Sequence, residues 1–446
     1  MGVFKTYDVR GVWGQGIDGG LSHRIGRAFA RFLGGRTFAV GCDARLHSPE
    51  MYDAVIRGLV DEGKEVTGVG MVSTPLLHYA QMKGNVDGAV MVTASHNPPQ
   101  YQGMKLFDGA GGSVSYAKGL DRIEALVASL AAEEPRKPGG SSRQREALPE
   151  YLDFVCGVLG AARPTSRVVI DVSSGSAGKV FRGMADRLGL HATLLNESPD
   201  GRFPAHSPNP LEEESLHGIS AAVVRERADF GIILDGDGDR LLFVDERGQR
   251  IDNYFMSAVI AEELLAATKG ATVVYDLISS RVLPERIREI GGKPLVSRVG
   301  YTFLYDAMVQ SGAVFGSETS GHVYFRVTDR YYTESAAYAL AVVLRLLDRR
   351  HEKLSRLVDP LRSRYVQLPE TNLEVKDKEA ALRAVEQAFR AGTIDHLDGV
   401  SVTYPEFWFN VRPSNTEPVL RVRLEAVDRE TAERRGAEIA KLLATS

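Results

Sequence analysis

Phe38-Ala39-Val40-Gly41-Cys42-Asp43, Val168-Val169-Ile170-Asp171 and Val273-Val274-Tyr275-Asp276 share one pattern, an apolar run that ends in an aspartate and a polar turn. Each run is short and unbroken, as in a strand buried on both faces. Each is followed by a helix-like segment and a second apolar strand, near 66–72, 192–195 and 294–296. A third strand completes each copy, at 87–92, 230–234 and 313–315. Strand, helix, strand, helix, strand is the order of a layered α/β unit, here repeated at the scale of a domain.

Residues 366–446 depart from this order. A helix-like segment at 379–390 precedes strand-like 400–403, 407–411 and 419–426, and a last helix carries Ala432, Ile439, Leu442 and Leu443 on one stripe. The expected fold class is therefore α/β: three similar layered α/β domains with mixed sheets, plus a smaller C-terminal α+β domain. The expected domains are 1–147, 148–248, 249–365 and 366–446. The charged, then Pro/Gly/Ser-rich stretch Glu133-Glu134-Pro135-Arg136-Lys137-Pro138-Gly139-Gly140-Ser141-Ser142 reads as the linker or exposed loop before the first boundary.

The chain has 446 residues, enough for several cores without a metal or disulfide staple. It is 43% apolar and 25% charged, an ordinary globular mix. A net charge of −4 disfavours nucleic acid or an acidic membrane as partner. Cys42 and Cys156 give neither zinc spacing nor a disulfide framework, which fits a reducing compartment. No signal peptide or apolar run near 18 residues is expected. Met1-Gly2-Val3-Phe4-Lys5-Thr6 matches the loose myristoylation pattern, which fixes few positions and is read as chance. The expected location is cytoplasmic; monomer and homodimer stay open.

The third strand of each copy runs into a polar loop: Thr93-Ala94-Ser95-His96-Asn97-Pro98, Asp235-Gly236-Asp237-Gly238-Asp239-Arg240 and Ser317-Glu318-Thr319-Ser320-Gly321-His322. Ligands of open α/β sheets sit beyond strand carboxyl ends, so three such loops can converge on one cleft. Asp235, Asp237 and Asp239 suit a hard cation such as Mg²⁺ or Ca²⁺. The bland alternative is a solvated acidic turn. An EF-hand is disfavoured, because Arg240 stands where its glycine belongs and the flanks read as strands. Ser95 taken alone is a turn or cap residue, and His96 a structural histidine. No G-x-S-x-G elbow is present. A phosphorylated Ser95 would add about −1.5 to −2 charge. Only a divalent cation and basic residues could hold that beside three aspartates, so the two loops explain each other.

Arg412-Pro413-Ser414-Asn415-Thr416-Glu417 offers side chains and loop N–H groups for a phosphate cradle, with Arg421 and Arg423 alternating on the next strand. For the last two an ordinary solvated face is equally open. Gly175-Ser176-Ala177-Gly178-Lys179 is no P-loop, because Ser173 and Val180 replace its first glycine and its Ser/Thr. Tyr7-Asp8-Val9-Arg10-Gly11 and Lys105 add cations beside turns.

These stretches, in this order and spacing over essentially the whole chain, resemble the α-D-phosphohexomutase family, nearest its phosphomannomutase/phosphoglucomutase branch. The resemblance implies four domains around a central cleft and a reaction moving phosphate between O1 and O6 of a hexose, through phosphoserine and a hexose 1,6-bisphosphate that also serves as activator. It implies that Ser95 is the phosphoserine and that Asp235, Asp237 and Asp239 bind Mg²⁺ with its oxygen. Arg10, Lys105 and Arg240 would steady the transferring phosphoryl, with His96 beside it and His322 as candidate acid/base. Glu318 and Ser320 would read sugar hydroxyls, and Tyr7 would lie beside the sugar. Arg412, Ser414, Asn415, Thr416 and Arg421 would hold the other phosphate. Two departures stand out. The third-domain Gly-His pair is Gly300-Tyr301 here, and Ile278 replaces a lysine found in some members. Arg298 is the candidate for the missing positive charge. Small sugar phosphates are the implied partners; a phosphoglucosamine mutase or phosphopentomutase of the same architecture is the alternative, and a non-catalytic sugar-phosphate sensor is disfavoured because sensing needs no nucleophile.

Overall fold

The computed structural model describes residues 2–131, 135–414 and 419–444. In space, the first sheet runs Val9–Val12, Tyr101–Asp108, Gly88–Val92, Thr37–Cys42, Glu65–Met71, Ser141–Gln144. The second runs Arg250–Ile251, Leu241–Asp245, Phe230–Leu234, Arg167–Asp171, His191–Leu195. The third runs Lys293–Ser297, Thr272–Asp276, Phe315–Ser317, Val323–Arg326, Tyr332–Glu334. In each, the strand ending in the repeated aspartate lies between the next two strands of its copy and parallel to both. A further strand then pairs antiparallel with the third.

This order makes the chain wind outward in both directions from the aspartate strand. The loops leaving that strand and its third-strand neighbour therefore open the crevice at the carboxyl edge. Burial on both faces explains the unbroken apolar runs. Val168 and Ile170 face one core while Val169 and Ile233 face another, and all four are fully buried. Each such side chain contributes about 1.5–3 kcal/mol.

One apolar core is continuous through the first three domains, joining Met91 and Phe107 to Val168 and Phe181 and on to Val273 and Phe325. The C-terminal sheet has its own core, around Val402, Phe409, Leu424 and Ile439. The third domain holds it through Arg281. The Arg281 N–H donates to Glu425 Oε1 (3.0 Å), and its guanidinium donates to the Tyr404 carbonyl (3.2 Å).

Three expectations need correction. The third strand of the third copy is Phe315–Ser317 rather than 313–315. Gly316 lies inside it, paired with Val274 and Tyr324, and is glycine because a Cβ there would come within 2.3 Å of Met308 Sδ on the covering helix. Ser141 and Ser142, read as linker, begin an edge strand parallel to Glu65–Met71. All four residues of that strand are exposed, so no apolar pattern marks it. In the C-terminal domain, the strands Val366–Gln367, Thr371–Glu374 and Thr393–Asp395 were not foreseen, because they too are short and largely polar. Among the described residues, no helix is long and apolar enough to cross a membrane.

Candidate active site

The repeated aspartate anchors the loops. Asp43 is buried and accepts from Thr93 Oγ1 (2.7 Å), Ser48 Oγ (2.5 Å) and the Arg45 N–H (3.0 Å). Asp276 likewise accepts from the N–H (2.8 Å) and Oγ1 (3.0 Å) of Thr319. Asp171 holds the Ser173 N–H (2.9 Å) and Asn196 Nδ2 (2.9 Å). In each copy, the strand-end carboxylate satisfies loop donors that the sheet cannot reach.

Ser95 has φ +50°, the left-handed region, which costs a non-glycine residue about 1–2 kcal/mol. Its N–H donates to Thr93 Oγ1 (2.8 Å), and its carbonyl accepts from Arg45 Nη2 (2.8 Å). The fully buried Arg45 guanidinium also donates to the carbonyls of Asn97 (2.5 Å), Pro98 (2.8 Å) and Tyr101 (3.1 Å), with Asp43 Oδ2 at 3.2 Å from Nε. So fixed, Ser95 Oγ donates to Asp235 Oδ2 (2.7 Å) and lies 3.3 Å from His96 Nδ1. Gly236 lets the loops approach, since a Cβ there would come within 2.8 Å of the Ser95 carbonyl.

Asp235, Asp237 and Asp239 are fully buried, and their ligand atoms lie within 4.8 Å of one another. Lys105 Nζ donates to Asp237 Oδ2 (2.8 Å) and to Asp239 Oδ2, and Thr74 Oγ1 donates to Asp237 Oδ2 (2.7 Å). Asp237 Oδ1 and Asp239 Oδ1 are buried without a donor. Buried carboxylate oxygens left so are costly, and a hard cation would satisfy them. Burial and the two neighbouring carboxylates push the Asp235 carboxyl well up. Burial alone would lower the Lys105 ammonium, but Asp237 and Asp239 lift it well above its usual value. The triad can therefore hold a divalent metal.

Arg240 Nε donates to His322 Nε2 (2.8 Å), while His322 Nδ1 lies 3.1 Å from Glu334 Oε2. Tyr324 OH donates to the same Glu334 oxygen (2.8 Å). Burial raises the Glu334 carboxyl, yet the His322 hydrogen bond and the Lys105 charge bring it down to about 2. The charge of Arg240, then burial and Arg10, push the His96 imidazole well below its usual value. Glu318 accepts the Gly300 N–H on Oε1 (3.0 Å) and Ser320 Oγ on Oε2 (3.1 Å). Arg10 donates to Asp8 and to Asn97 of the serine loop.

Tyr7, Arg10, His96, Arg240, Gly300, Tyr301, Glu318, Ser320 and His322 thus line one cleft of about 800 Å³, with Ser95 and Lys105 buried beside it. Tyr301, in place of the family histidine, has its ring stacked 5.9 Å from that of His322. Its OH donates to the Tyr7 carbonyl and meets Ser113 Oγ, each at 3.2 Å, and burial pushes the phenol up. Its ring packs beside the His322 imidazole. Arg298 does not line the cleft; it stacks on Phe303 (4.4 Å) with Asp398 3.9 Å away. Arg412, Ser414 and Arg421 lie on the C-terminal domain outside the cleft lining, where Glu370 meets both Arg412 Nη2 (2.7 Å) and Arg421 Nη1 (3.5 Å). Asn415 and Thr416 lie outside the described residues. Arg45, Thr74, Glu334 and Glu370 were not foreseen. Of these only Arg45 had a signal, as the cation two residues beyond a repeated buried aspartate.

Three α/β domains whose strand-end loops enclose one polar cleft, with a fourth domain beside them, define a multidomain α/β enzyme. Successive stretches match the phosphoglucomutase/phosphomannomutase models: alpha/beta/alpha domain I over residues 1–134, domain II over 149–248, domain III over 252–365 and the C-terminal domain over 370–442. The chain is 35% identical over 445 residues to the phosphomannomutase of Methanocaldococcus jannaschii, covering 99% of this chain and 97% of that one. It is 34% identical over 440 residues to the phosphomannomutase/phosphoglucomutase of Pseudomonas aeruginosa, covering 97% and 93%. A solved phosphoglucomutase/phosphomannomutase family protein from Burkholderia thailandensis superposes with a TM-score of 0.88 at 32% identity, covering 99% and 97%. The chain belongs to the phosphoglucomutase/phosphomannomutase family and is a mutase.

Proposed function

We propose that this mutase interconverts hexose 1-phosphate and hexose 6-phosphate, with mannose and glucose as its sugars, through phosphorylated Ser95 and a hexose 1,6-bisphosphate. The observation that carries the reading is the buried Ser95 hydroxyl, 2.7 Å from Asp235 Oδ2 at the meeting of three loops. Asp235, Asp237, Asp239 and a phosphoserine oxygen would hold Mg²⁺, which supplies charge neutralisation at the phosphoryl group. Arg412, Ser414 and Arg421, with Asn415 and Thr416, would take the phosphate that does not react. Glu318, its backbone and Ser320 partners fixed, keeps further lone pairs for sugar hydroxyls.

In the first half-reaction, the sugar hydroxyl oxygen bonds to phosphorus as the P–Oγ bond to Ser95 breaks. The hydroxyl proton passes to His322 Nε2, and Ser95 Oγ keeps the bonding pair. Arg10, Lys105 and Arg240 balance the charge on the phosphoryl oxygens. After the bisphosphate turns over, Ser95 Oγ takes its other phosphoryl group, and His322 returns the proton to the sugar oxygen so released.

Glucose 1-phosphate and mannose 1-phosphate are expected to react with efficiencies within roughly two orders of magnitude, since one hydroxyl's orientation at a tolerant position costs a few kcal/mol at most. Glucosamine 1-phosphate is expected to be clearly poorer. Steady-state rates on these three sugars, with a mass increase of about 80 Da on the Ser95 peptide, test the reading. Glucosamine 1-phosphate as the best substrate would move the chain to another branch, and a Ser95 peptide never carrying phosphate during turnover would remove the mechanism.

Asp237→Asn leaves two anionic ligands where three were and disturbs the Lys105 and Thr74 contacts. Magnesium affinity is expected to fall by at least the roughly 10–100-fold that losing an outer partner costs. Direct binding titration and the magnesium dependence of the rate check this. Turnover indifferent to both the substitution and a chelator would contradict the metal assignment.

A further inference from the structure

His322 lies between two partners that dictate where its proton can be. The Arg240 guanidinium has only donors and points one at Nε2 across 2.8 Å, so Nε2 carries a lone pair. The ring proton then belongs on Nδ1, which faces Glu334 Oε2 at hydrogen-bond distance (3.1 Å), while Oδ1 of Asp239 lies farther off at 3.7 Å. The placement of Glu334 follows from the sheet. Alternate residues of extended chain share a face, so His322, just before the strand Val323–Arg326, and Tyr324 point the same way. Glu334 is the cross-strand partner of Tyr324, which puts its carboxylate on that face. There Tyr324 OH donates to it (2.8 Å), and both Glu334 and His322 are only 3% exposed. The rings of Tyr301 and Tyr324 lie near-parallel to the imidazole, with centroids 5.9 and 6.2 Å away. The imidazole is thus flanked by two phenol rings, and of the two carboxylates facing Nδ1 only Glu334 is close enough to fix its rotation.

We propose that Glu334 is a positioning residue for the phosphoryl transfer: it fixes His322 as the Nδ1-protonated tautomer, with Nε2 facing the cleft as the acceptor for the sugar hydroxyl proton. The proposal rests on the reading of His322 as that acceptor. In the resting site Arg240 occupies the Nε2 lone pair. When Arg240 turns to the transferring phosphoryl, the lone pair is left aimed at the incoming hydroxyl, and Glu334 stabilises the imidazolium that forms. This is the logic of a carboxylate–histidine pair, in which the acid orients the base and does not itself take the proton. Tyr324 serves the same end, because its hydrogen bond keeps the carboxylate from rotating away.

The test uses the full-length enzyme with Ser95 phosphorylated. Glu334→Gln is expected to lower kcat about 10²-fold, within the range general acid–base catalysis contributes, with KM for the hexose 1-phosphate within about threefold. Glu334→Asp, which restores the charge on a shorter arm, is expected to recover at least about tenfold of that loss. Adding Glu334→Gln to His322→Ala should cost little beyond His322→Ala alone, because one residue acts through the other. Nitrogen-15 spectra of labelled imidazole should give His322 a protonated Nδ1 and a bare Nε2 in the parent, and a mixture of tautomers in Glu334→Gln. Parent-like kcat and tautomer in Glu334→Gln, with His322→Ala inactive, would overturn the proposal while leaving His322 as acceptor. A fully active His322→Ala would instead remove the acceptor reading and the proposal with it. Independent, additive losses in the double variant would make Glu334 a merely structural residue.

Discussion

Ser95→Ala is expected to lower exchange between hexose 1-phosphate and hexose 6-phosphate by on the order of 10⁶-fold, as for nucleophiles removed from other enzymes, if the serine is the phosphoryl carrier. The fold should survive. The side chain makes two contacts, a donation to Asp235 and a 3.3 Å approach to His96 Nδ1, and the loop is held by its backbone through Thr93 and Arg45. Alanine at φ +50° meets the strain that serine already bears. The thermal midpoint should therefore stay within a few degrees of the parent's. Added hexose 1,6-bisphosphate should activate dephosphorylated parent enzyme and leave Ser95→Ala silent, because no acceptor oxygen remains. Parent-like turnover in pure, folded Ser95→Ala would sink the phosphoserine mechanism. Silence together with a collapsed melting curve would instead place Ser95 in the fold.

How much of this was open to sequence reading depended on whether each signal was local. The three aspartate strands declare themselves because burial on both faces demands unbroken apolar runs. The serine and acidic loops stand out because small residues or like charges are crowded within a few positions. The strand Ser141–Gln144 gave no sign, since it adds to the sheet through its backbone and exposes every side chain. The strand around Gly316 was misplaced by two residues, because a glycine reads as a break unless the helix packed over it is known. Thr74 and Glu334 were invisible for a different reason. Thr74 meets Asp237 across 163 positions, so its meaning exists only once the first two domains share a boundary. Glu334 follows two tyrosines and a threonine, and nothing nearby in the chain distinguishes it from a surface acid. Tyr301 shows the converse. The residue type excluded a proton shuttle near neutral pH, but only the packing gave it a task, as a wall beside His322.

Arg45→Met is expected to have the second largest effect, and on stability as well as rate. Its guanidinium is fully buried and holds the carbonyls of Ser95, Asn97, Pro98 and Tyr101, four points of one loop. It also lies 5.1 Å over the Phe203 ring of the second domain, so it ties the serine loop to the domain that carries the aspartates. Methionine fills much of the volume but leaves the four carbonyls without their donor and the buried Asp43 carboxylate without its ion-pair partner. Breaking a buried pair on one side costs about 3–5 kcal/mol. Lysine retains the charge but cannot span the four acceptors, because it lacks the planar fork, so Arg45→Lys should recover only part. The rate should fall as well, by about 10²-fold even at temperatures where the variant is folded, because a misplacement near 1 Å at the reacting serine has that effect. Denaturant unfolding of Arg45→Met and of the double variant with Asp43→Asn separates the two contributions. If the uncharged double variant regains stability but not turnover, the ion pair carried the fold and the carbonyl contacts carried the geometry of Ser95. If Arg45→Met unfolds and turns over like the parent, the loop is held by Thr93 and Asp43 alone, and Arg45 is a bystander to both.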